Sequence, residues 1–158
     1  MTADLWGVRL ATPDDADEVA RLLYDFNREF ATPSPGAAVL SARLRRLLPG
    51  DATLAIIAGA PAVGLALVTL RPNVWYASPV ALLDELYVVP HLRGKGIGSA
   101  IVERLLALAR DRGVELVEIN VDEGDVDAQR FYERHGFSST EGSGSTERAF
   151  YYWRELTT

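Results

Sequence analysis

The chain has 158 residues, 48% of them apolar, which is enough for one domain around a single core, and we predict one domain over residues 1–158. It contains no cysteine, which excludes a disulfide framework, a thiolate metal site and a cysteine nucleophile. Its formal net charge of −6 argues weakly against a nucleic-acid surface, which needs clustered Lys and Arg, and mildly favours cationic partners. The alternative is that a charge of this size only keeps the protein in solution.

The first half of the chain predicts a strand, two helices and a hairpin. Residues 5–11 alternate as in a strand, and Thr12 with the following proline is typical of a helix start. A second helix is expected over roughly 38–48. The runs 52–59 and 62–72 read as two apolar strands of one hairpin. Glycine and proline interrupt the joined apolar stretch over 53–70, so we predict no membrane span and no secretory leader, and we expect a cytoplasmic protein.

The second half predicts three strands and two helices. Residues 80–89 form a strand, and residues 97–113 form a helix with one apolar face that ends at a glycine. A strand over 114–121, a short helix over 125–137 and a last alternating strand over 149–156 follow. This order of elements predicts an α/β (α+β) fold, in which a mixed sheet carries helices on both faces.

The segment RGKGIGS, residues 93–99, places three glycines at alternate positions between a strand and a helix. It fails the G-x-G-x-x-G dinucleotide pattern, because the third glycine position falls on Ser99, and it also fails the G-x-x-x-x-G-K-S/T phosphate loop. Glycines at a helix start leave backbone N–H groups open to an anion, and Arg93 and Lys95 add positive charge. The alternative is a plain turn, which typically needs one glycine. We therefore predict an anion site that suits a pyrophosphate.

Two segments, LYVVPHLRGKGIGSAIVERLL and AQRFYERHGF, carry the most specific patterns in the chain. The first resembles the acyl-CoA-binding signature of the GNAT superfamily of N-acetyltransferases, R/Q-x-x-G-x-G/A after a strand, with Arg93, Gly96 and Gly98 at the fixed positions. The second resembles the A-x-x-F/L-Y-x-x-x-G-F motif of the same superfamily. Its matching residues are Ala128, Phe131, Tyr132, Gly136 and Phe137.

The resemblance implies the GNAT fold, a mixed, mostly antiparallel sheet of six to seven strands with a splayed central pair and helices on both faces. It also implies acetyl-CoA as co-substrate and no metal. In such a protein the backbone of Leu86, Tyr87 and Val88 would hold the pantetheine arm of coenzyme A. The pyrophosphate would lie on the N–H groups of Arg93, Gly94, Lys95, Gly96, Ile97, Gly98 and Ser99.

The resemblance also suggests groups that move protons. Tyr132 occupies the place of the family's general acid, which protonates the departing CoA thiolate; the alternative is a half-buried packing aromatic. The amine must lose a proton before it attacks, and Asp84 and Glu85 are the candidate bases. Strand alternation is expected to put these two acids on opposite faces, with Glu85 slightly favoured as the base. At Asp125 the family often has Asn or Ser, and an acid there would repel phosphate, so no cofactor contact is assigned to it.

For the acceptor, we expect a pocket of aromatic and acidic groups that suits a cationic amine. Its candidate residues are Tyr24, Asn27 and Glu29 at the end of the first helix and Trp75 before the central strand. The alternative is that this end of the helix is part of its ordinary packing face. Aromatic residues at 151–153 are expected in the core and in a homodimer surface.

We therefore predict an acetyl-CoA-dependent N-acetyltransferase that acts by direct transfer within a ternary complex. Its acceptor is expected to be a small cationic amine of the polyamine or aminoglycoside type, with no nucleic-acid or membrane partner. A protein N-terminus or lysine is the alternative acceptor. A CoA-binding module without turnover is the alternative from another functional class.

Overall fold

A computed structural model describes residues 4–142 and 144–156, and the chain divides into two compact units, residues 1–119 and 120–158. Within the described residues, no helix is both long and apolar enough to cross a membrane. The elements of the first unit are β1 (Arg9–Leu10), α1 (Ala16–Glu29), α2 (Ala37–Leu47), β2 (Thr53–Ala58), β3 (Gly64–Arg71), β4 (Val80–Val88), α3 (Ile97–Asp111) and β5 (Val117–Ile119). The second unit contains α4 (Val126–Arg134).

The described residues form one five-stranded sheet, in the order β1-β2-β3-β4-β5. The first four strands pair antiparallel, and β5 pairs parallel to β4. In the described chain, β5 pairs with β4 only over Ala81–Leu83, whereas β4 continues to Val88. The mixed, mostly antiparallel sheet matches the expected fold, with five strands in the described residues instead of six to seven. The splayed central pair stays a prediction.

One face of the sheet is covered by α1, and α2 packs against α1. The helical spacing of apolar residues in α1 gives it a buried stripe that includes Val19 and Leu22. These side chains pack with Ile57, Leu65 and Tyr87 of the sheet in a single cluster. Leu22 is fully buried, so Leu22→Ala would cost about 3 kcal/mol.

The opposite face of the sheet is covered by α3, which contacts β2, β3 and β4. Its buried side chains include Ile97 and Ile101, which lie over Gly64 at the start of β3. A Cβ atom built on Gly64 would lie 2.8 Å from Ile101 Cδ1 and 2.9 Å from Ile97 Cγ2. Gly64 therefore lets the first turn of α3 approach the sheet closely, and this contact fixes where that helix begins.

The start of α1 has the predicted composition, but it opens with a 3₁₀ turn over Pro13–Asp15 before the α-helix starts. The carboxylate of Asp15 accepts the backbone N–H of Thr12 at 2.7 Å and two guanidinium N–H groups of Arg9 at 2.8 Å each. The hydrogen bond from Arg9, supported by that from Thr12, lowers the pKa of Asp15 to about 2. This pairing ties β1 to the helix start.

In the second unit, the prediction of a strand over 149–156 is wrong. A strand needs a hydrogen-bonded partner, and in the described residues of this unit the pairing consists of an isolated bridge between Thr140 and Arg148. The aromatic side chains that were expected in the core are exposed instead. Those with the largest exposed fractions are Tyr151 at 67%, Tyr152 at 87% and Trp153 at 72%.

Candidate active site

At the C-terminal end of β4, some backbone N–H and carbonyl groups point away from β3. The N–H of Val89 bonds the carbonyl of Val63 at 2.9 Å, so Val89, and two residues earlier Tyr87, direct their backbone groups toward β3. Because backbone groups alternate along a strand, those of Leu86 and Val88 point to the opposite edge of β4. At these residues that edge is not paired with β5, since the pairing ends at Leu83. Of the three residues predicted to grip the pantetheine arm, two therefore face the open edge and Tyr87 does not.

A β-bulge in the middle of β4 changes the placement of the two candidate bases. Leu67 pairs with Glu85 but Val68 pairs with Leu83, so Asp84 is the extra residue. The Asp84 carboxylate accepts a hydrogen bond from the hydroxyl of Thr69, which lies on the face covered by α1. Glu85 lies on the same face, opposite Leu67. The expectation that strand alternation separates the two acids is therefore wrong, because the inserted residue resets the alternation.

Glu85 is half-buried, while Asp84 is exposed. Burial raises the pKa of the Glu85 carboxyl above its ordinary value, and the neighbouring charge of Asp84 raises it further. A carboxylate whose pKa is moved toward neutrality takes up a proton more readily than an ordinary one. Of the two acids, Glu85 has the environment expected of a general base.

The glycine loop follows β4 through a 3₁₀ turn over Pro90–Leu92. Gly94 and Gly96 have φ angles of 73° and 86°, in the left-handed region that favours glycine, and Gly96 is the N-cap of α3. A Cβ atom on either glycine would meet nothing within 4 Å, so their outer sides face open space. The first bond within the helix runs from the N–H of Ala100 to the carbonyl of Gly96, and the N–H of Ile97 precedes it and has no acceptor inside α3.

The two cations of the loop differ in their surroundings. The guanidinium of Arg93 donates to both carboxylate oxygens of Glu29, at 2.7 Å each, and to the carbonyl of Val88 at 2.8 Å. Lys95 is exposed and has no ion pair within the residues that the structure describes. The charge of Arg93 is thus paired with that of Glu29, whereas the charge of Lys95 is not paired within the described chain. That both side chains attract an anion stays a prediction.

The predicted acceptor residues of α1 have different roles at the end of that helix. The side chain of Asn27 donates to the hydroxyl of Thr32 at 3.1 Å, and the backbone carbonyl of Asn27 accepts the Thr32 N–H at 2.9 Å, so Asn27 closes the helix. Glu29 binds Arg93. Tyr24 is half-buried and lies under the guanidinium of Arg28, with 5.8 Å from Cζ to the ring centroid.

Trp75 lies away from this group. Its side chain is 86% exposed, on the loop between β3 and β4. Ser78 of the same loop lies 3.1 Å from the Cβ position of Gly113, just beyond the C-terminal end of α3. That helix has 15 residues and is about 22 Å long, and the glycine loop is at its other end. The structure therefore does not bring Trp75 together with the glycine loop or with the end of α1.

Tyr132 belongs to the second unit, where it is the buried residue of α4. Its ring makes edge contacts with Phe131 and Phe137, at centroid distances of 5.1 and 5.7 Å. Asp125 is the N-cap of this helix, and its carboxylate accepts the N–H of Ala128 at 3.0 Å. The acid at this position thus has a helix-capping role, and the role of Tyr132 as general acid stays a prediction.

The model of the Acetyltransferase (GNAT) family matches residues 17–137, which is most of the chain and includes both motifs. The chain belongs to the GNAT family. The fold and the acetyltransferase family predicted from the two motifs are confirmed.

Three GNAT relatives illustrate the range of the similarity. The aminoglycoside N(6')-acetyltransferase type 1 of Stenotrophomonas maltophilia is 31% identical over 144 residues, which cover 89% of this chain and 92% of that enzyme. Mycothiol acetyltransferase of Beutenbergia cavernae is 36% identical over 72 residues, 44% of this chain but only 24% of that protein. A crystal structure of an acetyltransferase-family protein from Arthrobacter sp. FB24 superposes with a TM-score of 0.91, at 51% identity over 99% of both chains.

Two features of this GNAT site could not be read from the sequence pattern. Glu29 and Arg93 are 64 residues apart, and nothing in either segment indicates that they pair. The bulge at Asp84 has a faint signal, because two adjacent acids interrupt an otherwise apolar strand. Thr69, whose hydroxyl donates to Asp84, lies in a run of β-branched and apolar residues, and nothing in that run indicates this contact.

Proposed function

We propose that this protein transfers the acetyl group of acetyl-CoA to a primary amine, with a small cationic amine as the acceptor. The observation that carries the proposal is the continuous path from the open edge of β4 to the glycine-rich start of α3. An extended ligand that ends in a negatively charged group fits such a path. Acetyl-CoA has this form, since its pantetheine arm leads from the thioester to a pyrophosphate.

The main chain supplies most of the proposed cofactor contacts. The amide groups of the pantetheine arm would pair with Leu86 and Val88, as an added strand does at a sheet edge. The pyrophosphate would lie against the N–H groups at the start of α3, close to Gly94 and Gly96, where the helix dipole also favours an anion. Lys95 would add the positive charge of its side chain. Backbone N–H groups of the open edge could also polarise the thioester carbonyl.

The proposed reaction is a direct transfer. The nitrogen of the amine attacks the thioester carbon, a C–N bond forms, and the C–S bond breaks with the electron pair leaving on the CoA sulfur. Glu85 takes up the proton of the amine, directly or through water, and Tyr132 donates a proton to the leaving thiolate. Holding both reactants in one ternary complex supplies much of the rate.

A cationic acceptor is supported by charge. Asp84 and Glu85 lie on the same face of β4, and the chain as a whole carries a net charge of −6. Tyr24 adds an aromatic surface at the end of α1. One relative that matches nearly the whole chain acts on aminoglycosides, according to its name. The cytoplasm as the place of this reaction rests on the sequence alone.

The experiment is an acetylation assay over a panel of amines, which includes polyamines, aminoglycosides, amino acids and peptides with free N-termini or lysines. We expect a mass gain of one acetyl group on a small cationic amine, read by mass spectrometry, together with release of free CoA.

Tyr132→Phe is expected to lower kcat while coenzyme A still binds. Acetylation confined to peptides would refute the small-amine acceptor. Tight CoA binding without turnover on any amine would refute the enzyme.

A further inference from the structure

The side chain of Arg93 connects three elements of the first unit. Two of its nitrogens grip the carboxylate of Glu29 at the end of α1 in a parallel fork, and the third donates to the Val88 carbonyl at the end of β4. Arg93 itself lies at the start of the glycine loop. Fork geometry of this kind restrains orientation as well as distance.

The pair is anchored to the core through Tyr87. The Tyr87 hydroxyl donates to Glu29 at 3.3 Å, and the guanidinium of Arg93 lies over its ring, 5.5 Å from the centroid. Tyr87 is 4% exposed and packs edge-on against Phe26 of α1, at 5.1 Å between centroids. The hydrogen bond from Arg93, with its charge, lowers the pKa of Glu29 below the ordinary value, so the carboxylate is ionised at neutral pH. The two charges are thus held in place by a rigid aromatic neighbour.

The bond to Val88 affects the open edge of β4 directly. The Val88 carbonyl points to that edge by alternation, and the Nε–H of Arg93 occupies it. The groups that remain for an incoming strand are the Val88 N–H and both backbone groups of Leu86. Because Arg93 occupies the Val88 carbonyl, hydrogen bonds between an incoming extended ligand and this edge of β4 have to end at Val88.

We propose that Glu29 and Arg93 are positioning residues for the cofactor, which fix the glycine loop to the end of α1 and set the register of the acyl-CoA arm on β4. This inference rests on the proposed acetyl-CoA site. It gives Glu29 a role other than binding the amine, and it gives Arg93 a role other than neutralising phosphate.

The test is the Glu29→Gln variant, which keeps the size of the side chain and removes its charge. We expect its dissociation constant for coenzyme A, measured by calorimetry, to rise about tenfold, the equivalent of one charge-assisted interaction. The KM for the amine and kcat at saturating acetyl-CoA should stay near the wild-type values. Tighter CoA binding would mean that Glu29 merely holds Arg93 back from the phosphates. An unchanged CoA affinity with a raised KM for the amine would assign Glu29 to the acceptor. Either result overturns the inference.

Two further variants separate positioning from general loosening of α1. Arg93→Lys keeps the charge but loses the fork, so we expect the same rise in the dissociation constant, with an unchanged circular dichroism spectrum. Asp17→Asn breaks the ion pair with Arg45, 2.6 Å long, at the other end of α1, and it should leave CoA affinity unchanged. Wild-type affinity in Arg93→Lys, or an equal loss in Asp17→Asn, contradicts the inference. A wild-type protein that binds no coenzyme A refutes the proposed function itself.

Discussion

Glu85 is the residue on which the proposed chemistry depends most closely. Its side chain is half-buried beside a second acid, and both circumstances favour the protonated form. A general base acts only when it is deprotonated. The raised pKa of Glu85 therefore reduces the deprotonated fraction at low pH, but it strengthens the affinity of the carboxylate for the proton of the amine. The neighbour that contributes to this shift, Asp84, is placed there by the bulge and held by Thr69.

The pH dependence of kcat/KM tests this arrangement. We expect the rate to fall, as pH drops, at a value above the usual carboxyl range, because Glu85 becomes protonated there. Asp84→Asn removes the neighbouring charge and should shift this acid limb to lower pH while activity persists. Glu85→Gln should lower kcat on the order of 10²- to 10⁴-fold. If Asp84→Asn caused that loss and Glu85→Gln did not, Asp84 would be the base.

At the scale of the elements, the strongly periodic segments were predictable and the short strands were not. The apolar stripes of α1 and α3 gave their positions within a few residues, and the Gly-Pro turn between β2 and β3 marked the hairpin. Predicted strands over 5–11 and 114–121 shrink to two and three residues of regular pairing. Beyond these residues the described chain has isolated backbone bonds, such as those from the Ala11 N–H to the Ala55 carbonyl and from the Ala81 N–H to the Leu116 carbonyl. Strand alternation in a sequence shows which residues could pair, and it does not show whether a partner is present.

The link between β1 and α1 gives a prediction about acid stability. Because the folded-state pKa of Asp15 is lowered to about 2, its contribution is complete above its unfolded value and is lost as pH falls from there toward 2. Asp15→Asn should lower the free energy of unfolding by about 2 kcal/mol at neutral pH and by little at pH 2, in urea titrations. Asp14→Asn, in the same turn, is the matched control and should have little effect at either pH. An equal loss at both pH values would show that the ion pair is not the cause.

At the scale of the whole molecule, the described part of the second unit leaves large apolar side chains exposed. Five of them fall within seven residues, and each of the four aromatic ones could bury on the order of 150–200 Å² in a contact. They are Phe150, Tyr151, Tyr152, Trp153 and Leu156. Two copies of such a segment together offer an area in the range of a stable interface. A homodimer is the partner that we propose for this surface.

Sedimentation equilibrium tests the homodimer. We expect a mass of twice 17.3 kDa for the wild type, and a monomer for Trp153→Glu combined with Tyr152→Glu. Trp75→Glu changes an equally exposed tryptophan outside this segment and should leave the dimer intact. A wild type that is monomeric at assay concentration would contradict the proposal.

The central claim is that acetyl-CoA lies along the open edge of β4 and ends at the start of α3. Amide hydrogen exchange, measured by NMR with and without saturating coenzyme A, tests it most directly. We expect slower exchange on binding at the N–H groups of Leu86 and Val88 and at Ile97 at the start of α3. The N–H of Tyr87 should change little, because it already bonds to β3. Bound coenzyme A that leaves the exchange of Leu86 and Val88 unaltered would contradict the claim.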